Sequence, residues 1–241
     1  MIRITLVRHG ETGNNRARIV QGQDPTQGKL TAKGLRQAQL LGQRLASVPF
    51  DAAYCSPLER AVLTLAQVLA ARNGDRTLPL VFAPELREIN LGTLHGRPHG
   101  EWKAAIAGDP MAWRAPQGES WNDVQERVTA YLRRVVLSAG HRNILIVAHG
   151  GVNRGLIASV TGTTMADTWR GEGLGTPQEN ACVNFLELDD NGALLSALVN
   201  DSSHLGTEPE AGPGQRWLEK ERRWELLGKP HARVGESVPV G

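Results

Sequence analysis

Cysteine is scarce: the chain has two in 241 residues, Cys55 and Cys182. Each lies in a short apolar run, Ala52-Ala53-Tyr54-Cys55 and Ala181-Cys182-Val183, so both read as buried, reduced thiols and no disulfide framework is expected. Charge of one sign is missing too. Lys plus Arg number 27 and Asp plus Glu 25, a net charge of +2, which argues against a nucleic-acid partner or a membrane surface. Any positive field that matters must be local. No apolar run approaches a membrane span. Met1–Val7 enters a strand pattern with no apolar leader core and no small-residue cleavage site, so a cytoplasmic location is expected. There is no glycine-rich dinucleotide fingerprint, no Cys/His zinc spacing and no internal repeat, so neither a cofactor nor a metal is expected. What is present is an ordinary globular composition, 40% hydrophobic and 22% charged. The length suits one sizeable core, or a core with an appendage.

Periodicity supplies the organisation. Ile2–Val7, Ala52–Cys55 and Leu80–Ala83 read as short strands. Asn143–Ala148 is an unbroken apolar run, the pattern of a central parallel strand buried on both faces. Asn184–Leu188 and Leu194–Asn200 make a hairpin around Asp190-Asn191-Gly192. Helices are expected over Thr31–Val48, with Leu35, Ala38, Leu41 and Leu45 inward, and over Trp121–Leu137, with Val124, Val128, Tyr131, Leu132 and Val135 inward. Another runs from Val152 to Val160. Ser56-Pro57-Leu58-Glu59 reads as a capped helix start, with Ser56 as N-cap and Glu59 closing a capping box. Arg8–Lys29 is a long polar loop, and Leu86–Gly118 is irregular with short helices around Trp102 and Trp113. Strands alternating with helices predict an α/β fold: a three-layer α/β/α sandwich with a mostly parallel central sheet.

On this map three polar motifs fall at strand ends. Arg8-His9 closes the first strand, Ser56 with Arg60 follows the second, and His149-Gly150-Gly151 closes Asn143–Ala148. In parallel strands all three would share the carboxyl edge, where open α/β sheets bind ligands. Arginine offers a fixed fork of donors matched to phosphate oxygens and does not lose its charge. Arg60 also falls in the first turn of a helix, whose free N–H groups favour an anion. Gly10 leaves room for a ligand beside the backbone. A neutral imidazole is a competent nucleophile, and two cations beside it favour its neutral form.

The ordered set Arg8-His9-Gly10-Glu11-Thr12 with Asn15, Gln21-Gly22, Ser56-Pro57-Leu58-Glu59-Arg60-Ala61, Leu86-Arg87-Glu88 with Gly92, Gly118-Glu119-Ser120 and Val147-Ala148-His149-Gly150-Gly151 resembles the histidine phosphatase superfamily, the phosphoglycerate mutase-like enzymes. The resemblance spans about Ile2 to Leu205. It implies that His9 becomes phosphohistidine and that Arg8, Arg60 and His149 hold the phosphoryl oxygens. It also implies that Asn15, Gln21, Gly22 and Gly150 contact substrate. Glu88 would protonate the leaving oxygen and then take a proton from the attacking water. His95, His99, His141, His204 and His231 read as surface or loop groups, with a substrate contact as the alternative for His95 and His99 and packing near the site as the alternative for His204, and the six tryptophans as core or lid packing.

By resemblance the chain is a metal-independent phosphatase acting on a small phosphorylated metabolite. Glycolytic mutases of the family carry a long basic insertion after the catalytic Glu. Here only Asn90–Glu119 separates Glu88 from the helix start at Ser120, which favours hydrolysis. Phosphoglycerate mutase and ribazole phosphate phosphatase stay open as alternatives. A metallohydrolase using His9, His149 and Glu88 is disfavoured by the two arginines, and a non-catalytic sensor by the pairing of a nucleophile with an acid. Residues 1–206 are expected to form the catalytic domain and 207–241 a C-terminal extension, a linker plus a short helix over Gln215–Leu227. That tail is either a surface appendage or packs Trp217 and Trp224 near the pocket mouth or a dimer interface. Monomer and homodimer both stay open.

Overall fold

The computed structural model describes residues 1–24, 28–72, 77–174, 177–206 and 216–217. Six strands of three or more residues carry it: β1 (Ile2–Arg8), β2 (Ala52–Cys55), β3 (Leu80–Phe82), β4 (Asn143–Ala148), β5 (Val183–Leu188) and β6 (Leu194–Asp201). They lie side by side in the order β3-β2-β4-β1-β5-β6. The first four are parallel to one another, and β5 and β6 run antiparallel beside them. The hairpin expected around Asp190-Asn191-Gly192 is closed by the Asp189 N–H donating to the Ala193 carbonyl at 2.9 Å. β4 is central and buried from Ile144 to Ala148, as its apolar run requires.

Alternation along the strands sends side chains to opposite faces. Ile4, Leu6, Ile144 and Ile146 pack against α5 (Trp121–Tyr131) and α6 (Gly150–Thr161), through Val124, Val128, Val152 and Leu156. Val7, Leu145 and Val147 pack against α2 (Ala32–Leu45) and α3 (Glu59–Ala70), through Leu41, Leu45, Ala61 and Leu65. The result is the expected α/β/α sandwich. Each fully buried Leu or Ile contributes roughly 1.5–3 kcal/mol to holding it. Shorter helices α1 (Gly13–Ala17), α4 (His99–Ala105) and α7 (Met165–Arg170) lie in the connections.

Several local expectations are corrected. Leu35 is 40% exposed, because the buried face of α2 runs through Gly34, Ala38, Leu41 and Leu45. α5 passes at Leu132–Val136 into one wider π turn. The extra residue per turn rotates the face, so Val136 is buried and Val135 is exposed. α6 starts at Gly150, earlier than expected, and places His149 at its N-cap. α3 starts at Glu59 with Leu58 at the N-cap and no side-chain cap, so Ser56 does not cap it. The polar loop after β1 contains α1, capped by a reciprocal Thr12–Asn15 box. Arg216–Trp217, expected within a helix, form a two-residue strand pairing antiparallel with Leu198 and Val199 of β6. An edge strand offers unpaired N–H and C=O groups that recruit such a segment. The rest of the expected 207–241 extension lies outside the described residues.

Candidate active site

Sheet register brings the three motifs together. Arg8 pairs with Ala148 across β1 and β4, and the His9 N–H donates to the Ala148 carbonyl at 3.2 Å. Cys55 pairs with Val147, and the Ser56 N–H donates to the Val147 carbonyl at 3.0 Å. His9, Ser56 and His149 therefore leave three adjacent parallel strands at one edge. The rings of His9 and His149 lie 5.2 Å apart.

His9 is buried, and its Nδ1 lies 2.7 Å from the Gly10 carbonyl. A carbonyl only accepts, so Nδ1 carries the proton and Nε2 keeps its lone pair. Burial, then the Arg60 and Arg8 guanidiniums, holds the His9 pKa well below 6.5. The imidazole is therefore neutral at neutral pH, with one nitrogen ready to form a bond.

His149 is fully buried, and its pKa is likewise held well below 6.5 by burial, Arg60 and the neighbouring His9. Arg60 Nε donates to its Nδ1 at 3.3 Å, so the neutral ring bears its proton on Nε2, which donates to Ser56 Oγ at 2.8 Å. Both nitrogens are thus engaged. Ser56, read from sequence as a helix cap, is in fact the partner that orients His149. No helical pattern in the sequence signals that role.

Arg60, in the first turn of α3, also donates through Nη2 to the Gly22 carbonyl at 2.8 Å. Burial lowers its pKa to about 10, far above neutral pH. Arg8 donates through Nη1 to the Gln178 carbonyl, while its buried Nε has no partner. Glu88 sits in the loop after β3. Its Oε1 accepts from the Ile89 N–H at 3.0 Å and its Oε2 from the Gly151 N–H at 3.3 Å, at the N-terminus of α6. A helix N-terminus suits a carboxylate there.

Arg8, His9, Arg60 and Glu88 line one cavity of about 240 Å³, together with Asn15, Gln21, Gly22 and Gly150; His149 is not among its lining residues and meets the site through its contacts with His9 and Arg60. Asn15 Oδ1 is taken by Thr12 and by Asn180 Nδ2, so its amide nitrogen is the atom left to offer a ligand. Gln21 Nε2 donates to Thr12 Oγ1 at 2.6 Å, and its buried Oε1 has no partner. Gly10 does not make room for a ligand. A Cβ there would lie 2.4 Å from the Gly34 carbonyl, so the missing side chain lets the start of α2 dock against the loop after β1.

Other lining residues escape sequence reasoning. His99 lines the cavity, the alternative its position in the irregular segment left open, but its neighbours there have no such signal. The rings of His99, Trp102, Trp121 and Trp169 form a continuous wall, with successive centroids 6.0, 6.2 and 5.3 Å apart. Arg154, one turn into α6, ends that wall with its guanidinium 4.2 Å over the Trp169 ring. The one available sequence signal was that Arg154 falls four residues after Gly150, on the same helix face. His95 instead accepts the Leu91 N–H through Nε2 at 2.9 Å, a loop-shaping role. Cys55 and Cys182 are buried thiols, each pushed up to about 12 by burial. Among the described residues no three His, Cys, Asp or Glu side chains cluster as a metal site would need.

Comparison with known proteins gives the family and the fold. Residues 4–201 match the model of the histidine phosphatase superfamily, branch 1. An adenosylcobalamin/alpha-ribazole phosphatase of Escherichia coli K12 is 33% identical over 214 residues, covering 86% of this chain and 99% of that protein. A Yersinia pestis protein named "Probable phosphoglycerate mutase GpmB" is 35% identical over 170 residues, 67% of this chain and 76% of that one. The crystal structure of the alpha-ribazole phosphatase from Shigella flexneri superposes with a TM-score of 0.70 at 32% identity, covering 83% of this chain and 97% of that one.

Proposed function

Because the chain belongs to the histidine phosphatase superfamily, we propose that it is a metal-independent phosphatase that hydrolyses small phosphomonoesters through a phosphohistidine on His9. The observation that carries this reading is the pinned imidazole of His9: Nδ1 is committed to the Gly10 carbonyl, so Nε2 is free to attack. In the first step Nε2 bonds to phosphorus as the ester P–O bond breaks, and Glu88 supplies a proton to the leaving oxygen. Arg8 and Arg60 stabilise the equatorial oxygens, with His149 beside them. Water then attacks phosphorus and gives its proton to Glu88. The N–P bond breaks, phosphate leaves, and neutral His9 is restored. Asn15, Gln21, Gly22 and Gly150 contact the substrate around this centre, and residues 1–206 form the catalytic domain.

Ribazole phosphate phosphatase has specific support as a second reading. The wall of Trp102, Trp121 and Trp169 suits a flat heteroaromatic leaving group, and the E. coli relative is named for such a substrate. A cytoplasmic location belongs to the same proposal; no described helix is long and apolar enough to cross a membrane. A homodimer fits as well, since edge strand β3 exposes Leu80, Val81 and Phe82, and light scattering decides between monomer and dimer.

The test is phosphate release from 4-nitrophenyl phosphate. Wild type should turn over and trap an acid-labile, base-stable phosphoryl label on quenching, and His9→Ala should lose both. Retained turnover in His9→Ala overturns the nucleophile. Activity removed by a chelator and restored by a metal overturns metal independence. Net isomerisation of 3-phosphoglycerate without phosphate release would make the chain a mutase.

A further inference from the structure

Among the described residues Arg154 is a cation with no salt-bridge partner, in a place where charge is counted. Its guanidinium is stacked on Trp169, it lines the same cavity as His9 and Glu88, and its buried Nε has no hydrogen-bond partner. The opposite charge it feels most is Glu88, electrostatically and without forming a salt bridge. Burial brings its pKa down to about 10, so it stays charged at neutral pH. Partly desolvated charges are costly unless paired, and the Trp169 face compensates only in part.

The cavity lining carries three guanidiniums, Arg8, Arg60 and Arg154, and one carboxylate, Glu88. A phosphate dianion matches Arg8 and Arg60, which flank His9. Glu88 acts on the leaving oxygen only when it carries a proton, and then it is neutral. In that reactive state one positive charge is left over, and Arg154, which ends the aromatic wall on Trp169 and interacts electrostatically with both Arg8 and Glu88, carries it. Neither the nucleophile nor the acid needs Arg154.

We propose that Arg154 is a second anion-reading point, so that the preferred ester carries a further acidic group, a carboxylate or another phosphate, on its leaving-group side. The proposal rests on the phosphatase reading for the position of the scissile phosphate. It ranks an acid-bearing ester above a neutral heteroaromatic one, and so separates the two readings given above. The guanidinium fork suits bidentate recognition of a carboxylate or phosphate. Trp169 holds it flat and limits the rotamer freedom that binding would otherwise cost.

The test uses ester pairs differing by one carboxylate: phosphoserine against phosphoethanolamine, and 3-phosphoglycerate against glycerol 3-phosphate. In wild type, kcat/KM should favour the acid member of at least one pair by tenfold or more. Arg154→Gln should collapse that ratio toward one, mainly through KM, and Arg154→Lys should restore part of it. A wild type indifferent to the carboxylate overturns the proposal. So does an Arg154→Gln variant that lowers both members equally, which would make Arg154 only a prop for Trp169. Binding of the same esters to His9→Ala, followed by tryptophan fluorescence, gives a readout that needs no turnover. The acid member should bind more tightly to His9→Ala than to the His9→Ala, Arg154→Gln double variant. If wild type hydrolyses no ester, the phosphatase reading fails, and the fluorescence comparison still decides the role of Arg154.

Discussion

A reactive histidine is made by what its second nitrogen touches. His9 has Nδ1 fixed by a carbonyl one residue away, and His149 has both nitrogens engaged, by Arg60 and by Ser56. The second arrangement depends on one hydroxyl. Ser56→Ala removes the acceptor for the buried His149 Nε2–H, which costs about 1–3 kcal/mol for the unsatisfied donor. Urea unfolding should register that loss. kcat/KM should fall at least tenfold, and the nitrogen-15 shifts of the His149 ring should show a changed tautomer population. An unchanged ring spectrum would mean that Ser56 supports only the backbone. In the sequence Arg8, His9, Arg60 and His149 stand out because they sit in short motifs at strand ends, whereas Glu88 is marked only by the family resemblance. Ser56 was misread because Ser-Pro-x-Glu is also a good helix start. Arg154 and Trp169 were not legible as a pair, because their contact joins α6 to α7 through space.

Elements bring these residues together by close approach. β2 and β4 were read to their observed ends, since a continuous apolar run bounded by polar residues is the simplest of all strand patterns. Helices α5 and α6 are harder to read, because a wider turn at the end of α5 and an early start in α6 leave no mark in apolar spacing. That early start matters. It puts Gly151 in the first turn of α6, where its N–H meets Glu88, and a Cβ there would lie 2.6 Å from Glu88 Oε1 and 2.3 Å from the Trp121 ring. Gly151→Ala should therefore push Glu88 and Trp121 aside. Overpacking of this kind costs about 1–3 kcal/mol. The larger effect should be on kcat, at least tenfold down, because the acid is displaced. Gly13→Ala, in α1, meets nothing within 4 Å and serves as the control. Equal effects of the two substitutions on kcat would remove the helix start from the account.

The whole molecule is nearly neutral in charge, yet its ligand edge concentrates positive groups around neutral imidazoles, and this has a consequence for pH. His9 and His149 are held well below 6.5 by burial and by Arg60, with Arg8 also acting on both. His204, packed by Arg44 and Asp201, is brought down to about 4, again mainly by burial. In the unfolded chain all three take up protons near 6.5. Above that pH they are neutral in both states and stability is at its full value. As pH falls below 6.5 the unfolded chain binds more protons, so folding weakens until each folded-state pKa is reached. The slope is about 1.4 kcal/mol per pH unit for each histidine, or roughly 4 kcal/mol per unit when all three contribute. Urea midpoints should therefore be steady from pH 8 to 7 and drop steeply from pH 6.5 to 5. Inorganic phosphate or vanadate at saturating concentration should raise the midpoint at each pH, since it binds only the folded arginines. A flat profile between pH 7 and 5 would mean that the histidines take up protons in the folded state, and the neutral nucleophile at His9 would go with it.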